Sequence, residues 1–152
     1  MYPKTVAVAV WRNFNFTYKI LMSLRKDTAT FSGYWQLAGG KVEEGEHILA
    51  AARRELVEET GIFKPIEEFF IEDCIIGDPS TYKCFIFSVM FDASYDDKIL
   101  NPEPDKHSDW EWFTIDEAFT KKLMPGVEAY LTEVKKAIAK KQHNIVEEIS
   151  HE

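Results

Sequence analysis

Cysteine is scarce in this chain, with Cys74 and Cys84 the only two among 152 residues. They form no C-x-x-C pair, so there is no disulfide framework, and both are expected as reduced, partly buried thiols of a cytosolic protein. Basic residues are in deficit, 18 against 26 acidic, for a formal net charge of −8. That deficit argues against electrostatic capture of duplex DNA or of an anionic membrane. A small phosphorylated ligand is still admissible, because it needs only a local positive spot or a bound cation. No apolar run is long enough to span a bilayer, and no signal segment opens the chain, so a cytoplasmic location is expected. Asn15-Phe16-Thr17 matches a glycosylation sequon, which is read as chance without such a segment. Internal repeats, low-complexity stretches and linkers are missing as well. What is present is apolar surface, 45% of residues, with 14% aromatic, enough for a buried core. A single domain over residues 1–152, as monomer or homodimer, is the expectation.

Two β-branched and apolar runs, Thr5–Trp11 and Tyr18–Leu24, flank a polar-aromatic turn at Arg12–Thr17 and read as a strand pair. A loop at Arg25–Gly33 leads into Tyr34–Ala38 and a glycine turn, Gly39-Gly40. Glu46–Thr60 is strongly helical, and Gly61 is placed to end it in a left-handed conformation. Further strands are expected at Pro65–Ile76 and Tyr82–Phe91, around a turn at Gly77–Ser80. The polar loop Asp92–Asp109 precedes an aromatic strand, Trp110–Phe113, and a short helix, Ile115–Lys122. From Gly126 a long amphipathic helix carries Val127, Tyr130, Leu131, Val134, Ala137 and Ile138 on one stripe. The tail Ser150–Glu152 is expected to fray. The pattern is that of one mixed α/β domain.

The most informative segment is Gly40–Ile62, GKVEEGEHILAAARRELVEETGI. On its helix Glu55, Glu58 and Glu59 lie three or four positions apart, which brings their carboxylates together along one side. Ile48, Leu49, Ala52 and Leu56 form an opposing apolar stripe for burial against a sheet. Helix stability does not require crowded carboxylates, which repel one another. Converging hard oxygen donors suit magnesium or manganese, whose charge removes the repulsion, and Arg54 offsets part of it by pairing with a helix glutamate. Gly39-Gly40 permits unusual backbone angles and close approach of a main-chain carbonyl to a ligand. It is not a P-loop, because Gly40-Lys41 is followed by Val42 rather than Ser or Thr.

The segment resembles the Nudix box: Gly40, then Glu46, Arg54-Glu55, the aliphatic Leu56, Glu58-Glu59, Gly61 and the aliphatic Ile62 fill its specified positions at the right spacing. The resemblance implies the Nudix fold, a mixed β-sheet sandwiched between α-helices. It also implies that Glu58 and Glu59 are the main Mg2+ ligands, with Mn2+ as a substitute, and that Glu55 is a further ligand or the water-activating base. The Gly39 carbonyl would be a main-chain ligand, Arg54 would orient the glutamates and Glu46 would stabilise the loop-helix-loop. Ala38 stands where many relatives have proline. Nudix enzymes often add a carboxylate from a downstream loop, and Glu103 and Asp105 are the candidates, with Asp105 favoured. Arg25 and Lys41 flank the glycine turn and are candidate phosphate contacts. His47, His107, His143 and His151 show no metal-ligand spacing and are taken as surface residues.

The stretch Glu103-Pro104-Asp105-Lys106 followed by Trp110-Glu111-Trp112-Phe113 resembles a subgroup of Nudix proteins that cleave nucleoside triphosphates. Trp110 and Trp112 share a strand face, and Trp110 is the candidate wall of a base pocket, while Trp112 is assigned to the core. The function implied is hydrolysis of a nucleoside triphosphate to monophosphate and pyrophosphate, with a small nucleotide as the partner molecule. The alternatives are cleavage of a nucleoside diphosphate linked to a sugar, as in ADP-ribose, and a non-catalytic module that binds nucleotide, RNA or protein. The intact glutamate set argues against the last.

Overall fold

The computed structural model describes residues 3–26, 30–76, 83–96 and 98–150, without the side chains at 73–76, 143, 145, 146 and 149. The expected turn at Gly77–Ser80, the side chains of Cys74 and His143, and the end of the tail lie outside the described residues. Strand β1 (Lys4–Phe14) is the axis of a seven-stranded mixed sheet. Along one edge it runs parallel to β6 (Lys83–Phe91), from Lys4 opposite Lys83 to Arg12 opposite Phe91. Its other edge serves two strands. Thr5–Val8 pair antiparallel with β4 (Ala38–Lys41), whereas Trp11–Phe14 pair antiparallel with β2 (Thr17–Leu24). The sheet therefore forks. The β2 branch carries β7 (Glu111–Thr114) and β3 (Trp35–Gln36), and β5 (Phe70–Ile76) pairs with β6 on the opposite side. Only Leu37 separates β3 on one branch from β4 on the other.

Strand alternation sends residues of β1 to two different cores. Val6, Val8 and Val10 join Leu21, Phe87 and Val89 on one face, which helix α1 (Ile48–Thr60) covers with Ala51, Ala52 and Leu56. Ala9 and Trp11 join Ile20, Met22 and Ile86 on the other. Helices α2 (Ile115–Phe119) and α3 (Pro125–Ser150) cover that face with Ala118, Val127, Tyr130 and Leu131. Leu56 and Leu131 are both fully buried, each favouring the fold by about 1.5–3 kcal/mol relative to exposure. The sheet is thus sandwiched between helices, as the box implied.

Several boundaries differ from expectation for physical reasons. The turn expected over Arg12–Thr17 shrinks to Asn15 and Phe16, both left-handed at φ 50° and 71°, so the ladder continues to Phe14 opposite Thr17. Gly39 and Gly40 do not form a turn; they sit in β4, opposite Ala7 and Val6. Pro65 opens a 3-10 turn over Ile66–Glu68 before β5 begins, so the strand does not reach back to Pro65. Helix α1 begins at Ile48, capped by His47, whose Nδ1 accepts a 3.1 Å bond from the Leu49 amide. Glu46 therefore lies in the preceding turn. On α3 the stripe is buried or half-buried only through Val134, and Ala137 and Ile138 are exposed. A helix of 26 residues spans about 39 Å and outruns the sheet. Among the described residues no helix is long and apolar enough to cross a membrane.

Candidate active site

Glycine at positions 39 and 40 answers a need for space. A Cβ on Gly39 would stand 2.2 Å from the Val6 carbonyl oxygen, so the pairing with β1 leaves no room for one. A Cβ on Gly40 would stand 2.5 Å from Glu55 Oε1, because that carboxylate rests against the strand. Neither glycine has a positive φ, unlike Gly61, which ends α1 at φ 75° with its amide bonded to the Val57 carbonyl. The unusual backbone angles expected at Gly39 and Gly40 are therefore not what the two positions require.

Arg54 is the hub of the charged cluster. Its Nε donates to Glu46 Oε2 at 2.8 Å, and its Nη2 to Glu46 Oε1 at 2.9 Å and to the Lys41 carbonyl at 3.0 Å. Its Nη1 is shared between Glu55 Oε1 at 2.9 Å and Glu58 Oε2 at 3.3 Å. These bonds hold the Glu46 carboxyl down at about 2, through Arg54 first and the Glu43 amide second, and hold the Arg54 guanidinium above its ordinary range. Glu59 behaves in the opposite way. Only 9% exposed, it is pushed up to about 8, chiefly by desolvation and then by the charges of Glu55 and Glu103, against a lowering bond from the Gly39 amide at 3.3 Å. Glu58 points outward, with 57% of its side chain exposed.

Of the two downstream carboxylates, Glu103 is the one whose charge reaches Glu59. Glu103 accepts the Lys106 amide at its carbonyl, and its own amide donates to Asn101 Oδ1. That turn keeps Glu103 half-buried and leaves Asp105 exposed, with no hydrogen bond or ion pair to a described residue. Trp110 is buried where the wall of a base pocket was expected. It is 9% exposed and belongs to the core under α1, its Nε1 donating 3.0 Å to the Glu59 carbonyl, so its rings offer no wall to a base. Trp112 is half-buried against the same core, as assigned. His107, taken as a surface residue, is 2% exposed, edge-on to Trp110 at 5.2 Å.

Beside Gly39 and Gly40 opens a cleft of about 340 Å³, within the range of small-ligand sites. Arg25 lines it, as do Phe31, Gln36, Met124 and Val127, but Lys41 does not. Arg25 Nη1 donates 2.9 Å to Gln36 Oε1, and its Nε and Nη2 reach the Thr30 carbonyl at 3.3 and 3.1 Å. Phe31, left-handed at φ 57°, stands edge-on to Tyr34 and is 42% exposed. Sequence reasoning missed Gln36 and Phe31. The trace of Gln36 is its place between Trp35 and Leu37, where strand alternation turns it away from the core they fill; Phe31 left none. A larger, more open depression of about 480 Å³ lies around Asn13, Asp92 and Tyr95 and contains no box residue.

As the side chains stand, no three carboxylates, imidazoles or thiols among the described residues close round a metal ion. The donor set nevertheless suits a divalent cation. Glu59 feels the charges of both Glu55 and Glu103, and all three offer hard oxygen donors.

Residues 3–134 match the profile of the NUDIX domain. The chain belongs to the Nudix family. It is accordingly a hydrolase of pyrophosphate bonds in nucleotide derivatives. An RNA pyrophosphohydrolase of Bartonella clarridgeiae is 31% identical over 140 residues, spanning 76% of this chain and 78% of the relative. The nucleoside triphosphatase NudI of Escherichia coli is 48% identical, but over 42 residues only, 28% of this chain and 30% of the relative. Two solved structures share the Nudix fold. A MutT Nudix hydrolase from Burkholderia pseudomallei superposes with a TM-score of 0.69 at 24% identity, covering 88% of this chain and 98% of that one. A C. elegans Ap4A hydrolase binary complex does so at 0.66 and 18%, covering 91% and 98%.

Proposed function

We propose that this Nudix hydrolase converts a nucleoside triphosphate to the monophosphate and pyrophosphate, with Mg2+ as the resident cation and Mn2+ able to replace it. The observation that carries the reading is the position of the Glu55–Glu59 pair, which meets an apolar-walled cleft at Gly39 and Gly40 with Arg25 on its rim. Glu55, Glu58, Glu59 and the Gly39 carbonyl would hold the cation, with Glu103 as the downstream carboxylate. When bound, the cation supplies positive charge against the phosphate oxygens and acidifies water.

The side chains do the rest. Arg54 fixes one Glu55 oxygen, leaving the other to accept the proton of the attacking water. The water oxygen bonds to phosphorus as the anhydride P–O bond breaks, and pyrophosphate leaves with the electron pair. Arg25 contributes charge toward the departing phosphates from within the cleft, and Lys41, outside it, does so only at longer range. Gln36, held at Oε1 by Arg25 and at Nε2 by Ser23, lines the cleft where the base would lie.

A second reading keeps the same cut but sets the triphosphate at the 5′ end of an RNA chain, which the 31% identity to an RNA pyrophosphohydrolase favours. A magnesium-supplemented screen of nucleoside triphosphates, nucleotide sugars, dinucleoside polyphosphates and a 5′-triphosphorylated oligoribonucleotide, with products resolved by ion exchange, tests both. Release of monophosphate and pyrophosphate from free triphosphates supports the first reading. Turnover of the oligonucleotide alone supports the second. Preferential cleavage of a nucleotide sugar overturns both.

A further inference from the structure

The loop between β6 and β7 is held at both ends of the site. At one end the Leu100 amide donates 2.8 Å to the Thr60 carbonyl, the last residue of α1, and the Leu100 side chain fills the space a Cβ on Gly61 would need. At the other end the loop is laced to the end of β2. The Ser108 amide donates 2.9 Å to the Leu24 carbonyl, the Leu24 amide returns 2.8 Å to Ser108 Oγ, and the Lys26 amide donates 2.8 Å to the Lys106 carbonyl. Arg25, which reaches the cleft, lies within that lacing, bridged to His107.

One side chain closes the loop on itself. Asn101 Nδ2 donates 3.0 Å to the His107 carbonyl and 3.3 Å to Asp109 Oδ1, while its Oδ1 accepts the Glu103 amide at 3.3 Å. All three bonds lie within the loop, so Asn101 ties the Glu103 amide to the His107–Asp109 end of the turn. The Glu103 carbonyl also accepts the Lys106 and His107 amides at 3.0 and 3.3 Å, whereas its side chain has, among the described residues, a 3.4 Å pair with the exposed Lys106, which tolerates several geometries.

We infer that Asn101 is a positioning residue for divalent-cation binding, acting through Glu103, and that the loop it closes is a clasp joining the Arg25 rim of the cleft to the C-terminal end of the catalytic helix. The inference rests on the metal reading of the box proposed above. Outer partners that orient a ligating group cost about 10–100-fold in metal affinity when removed. Because Asn101 touches no box residue, its loss is expected near the lower end, about tenfold.

The test is a double-mutant cycle read as Mn2+ affinity, by electron paramagnetic resonance of the free ion over the full-length, substrate-free protein. Asn101→Ala and Glu103→Gln should each weaken Mn2+ binding, and the double variant should bind no more weakly than Glu103→Gln alone. Asn101→Ser, which keeps a donor and an acceptor, should fall between parent and Asn101→Ala, and thermal melts establish that each variant is folded. Unchanged Mn2+ affinity in folded Asn101→Ala, or fully additive losses in the double variant, would overturn the clasp while leaving the metal site standing. A parent that binds no Mn2+ at all would instead overturn the metal reading and the clasp with it.

Discussion

A carboxyl group buried as deeply as Glu59 keeps its proton until about pH 8, while in the unfolded chain it ionises near 4.5. Between those values the folded state holds a proton that the unfolded state has lost, so stability falls as pH rises through that window and levels off above it. In chelator, urea unfolding of the parent should therefore show a lower midpoint at pH 8.5 than at pH 5.5. Glu59→Gln, neutral throughout, should flatten the difference; a parent with equal midpoints would refute the assignment. Glu46 has the opposite sign. Its depressed carboxyl contributes stability above pH 4.5 that is lost as pH falls toward 2, so the two effects occupy separate pH ranges. On turnover, Glu58→Gln and Glu59→Gln should each cost about a hundredfold or more with the fold intact, since each removes an anionic oxygen from the site where charge is balanced. Full activity of either purified variant would remove the box from the chemistry.

Strand β4 separates two roles that neighbouring glycines perform. Gly39→Ala drives a methyl group into the Val6 carbonyl, a backbone atom that moves only if the β1–β4 pairing breaks. Gly40→Ala meets the end of the flexible Glu55 side chain instead. The first substitution should lower the melting temperature or prevent folding. The second should leave the melt nearly unchanged and reduce kcat, and the pair is separated by measuring both quantities on both proteins. This distinction was not legible in the sequence, where Gly39-Gly40 reads as a turn, because the reason for Gly39 is a strand more than thirty residues away and the reason for Gly40 is a side chain of the following helix. What was legible was local and contiguous. The α1 motif, its left-handed stop at Gly61 and the alternation of β1 and β2 depend on neighbours along the chain. Trp110 went the other way. Alternation and spacing tell which residues share a face, but not which face another element covers or which way a loop closed by Asn101 turns a carboxylate.

Taken whole, the molecule carries a destabilising feature, the Glu55–Glu59 pair, that a cation should relieve. Binding to the folded state alone stabilises by about 2.7 kcal/mol at a hundredfold excess over Kd. Since Glu59 must give up its proton to bind a cation, Mg2+ should raise the melting temperature more at pH 8.5 than at pH 5.5. A cation effect independent of pH, or equal in Glu59→Gln, would show that the ion binds elsewhere. The forked sheet has another consequence, for how such a protein changes over time. The box glutamates and the glycines they rest against belong to α1 and the β4 branch, whereas Arg25 and Gln36 stand at the end of β2 and on β3. The two groups meet across one edge of β1 and are joined in the chain through Leu37. Inheritance can therefore act on them separately: the wall that chooses a substrate is free to drift while the machinery that cuts it stays fixed. Transplanting residues 25–36 from a Nudix relative of different preference should carry the preference across and leave the cation requirement behind.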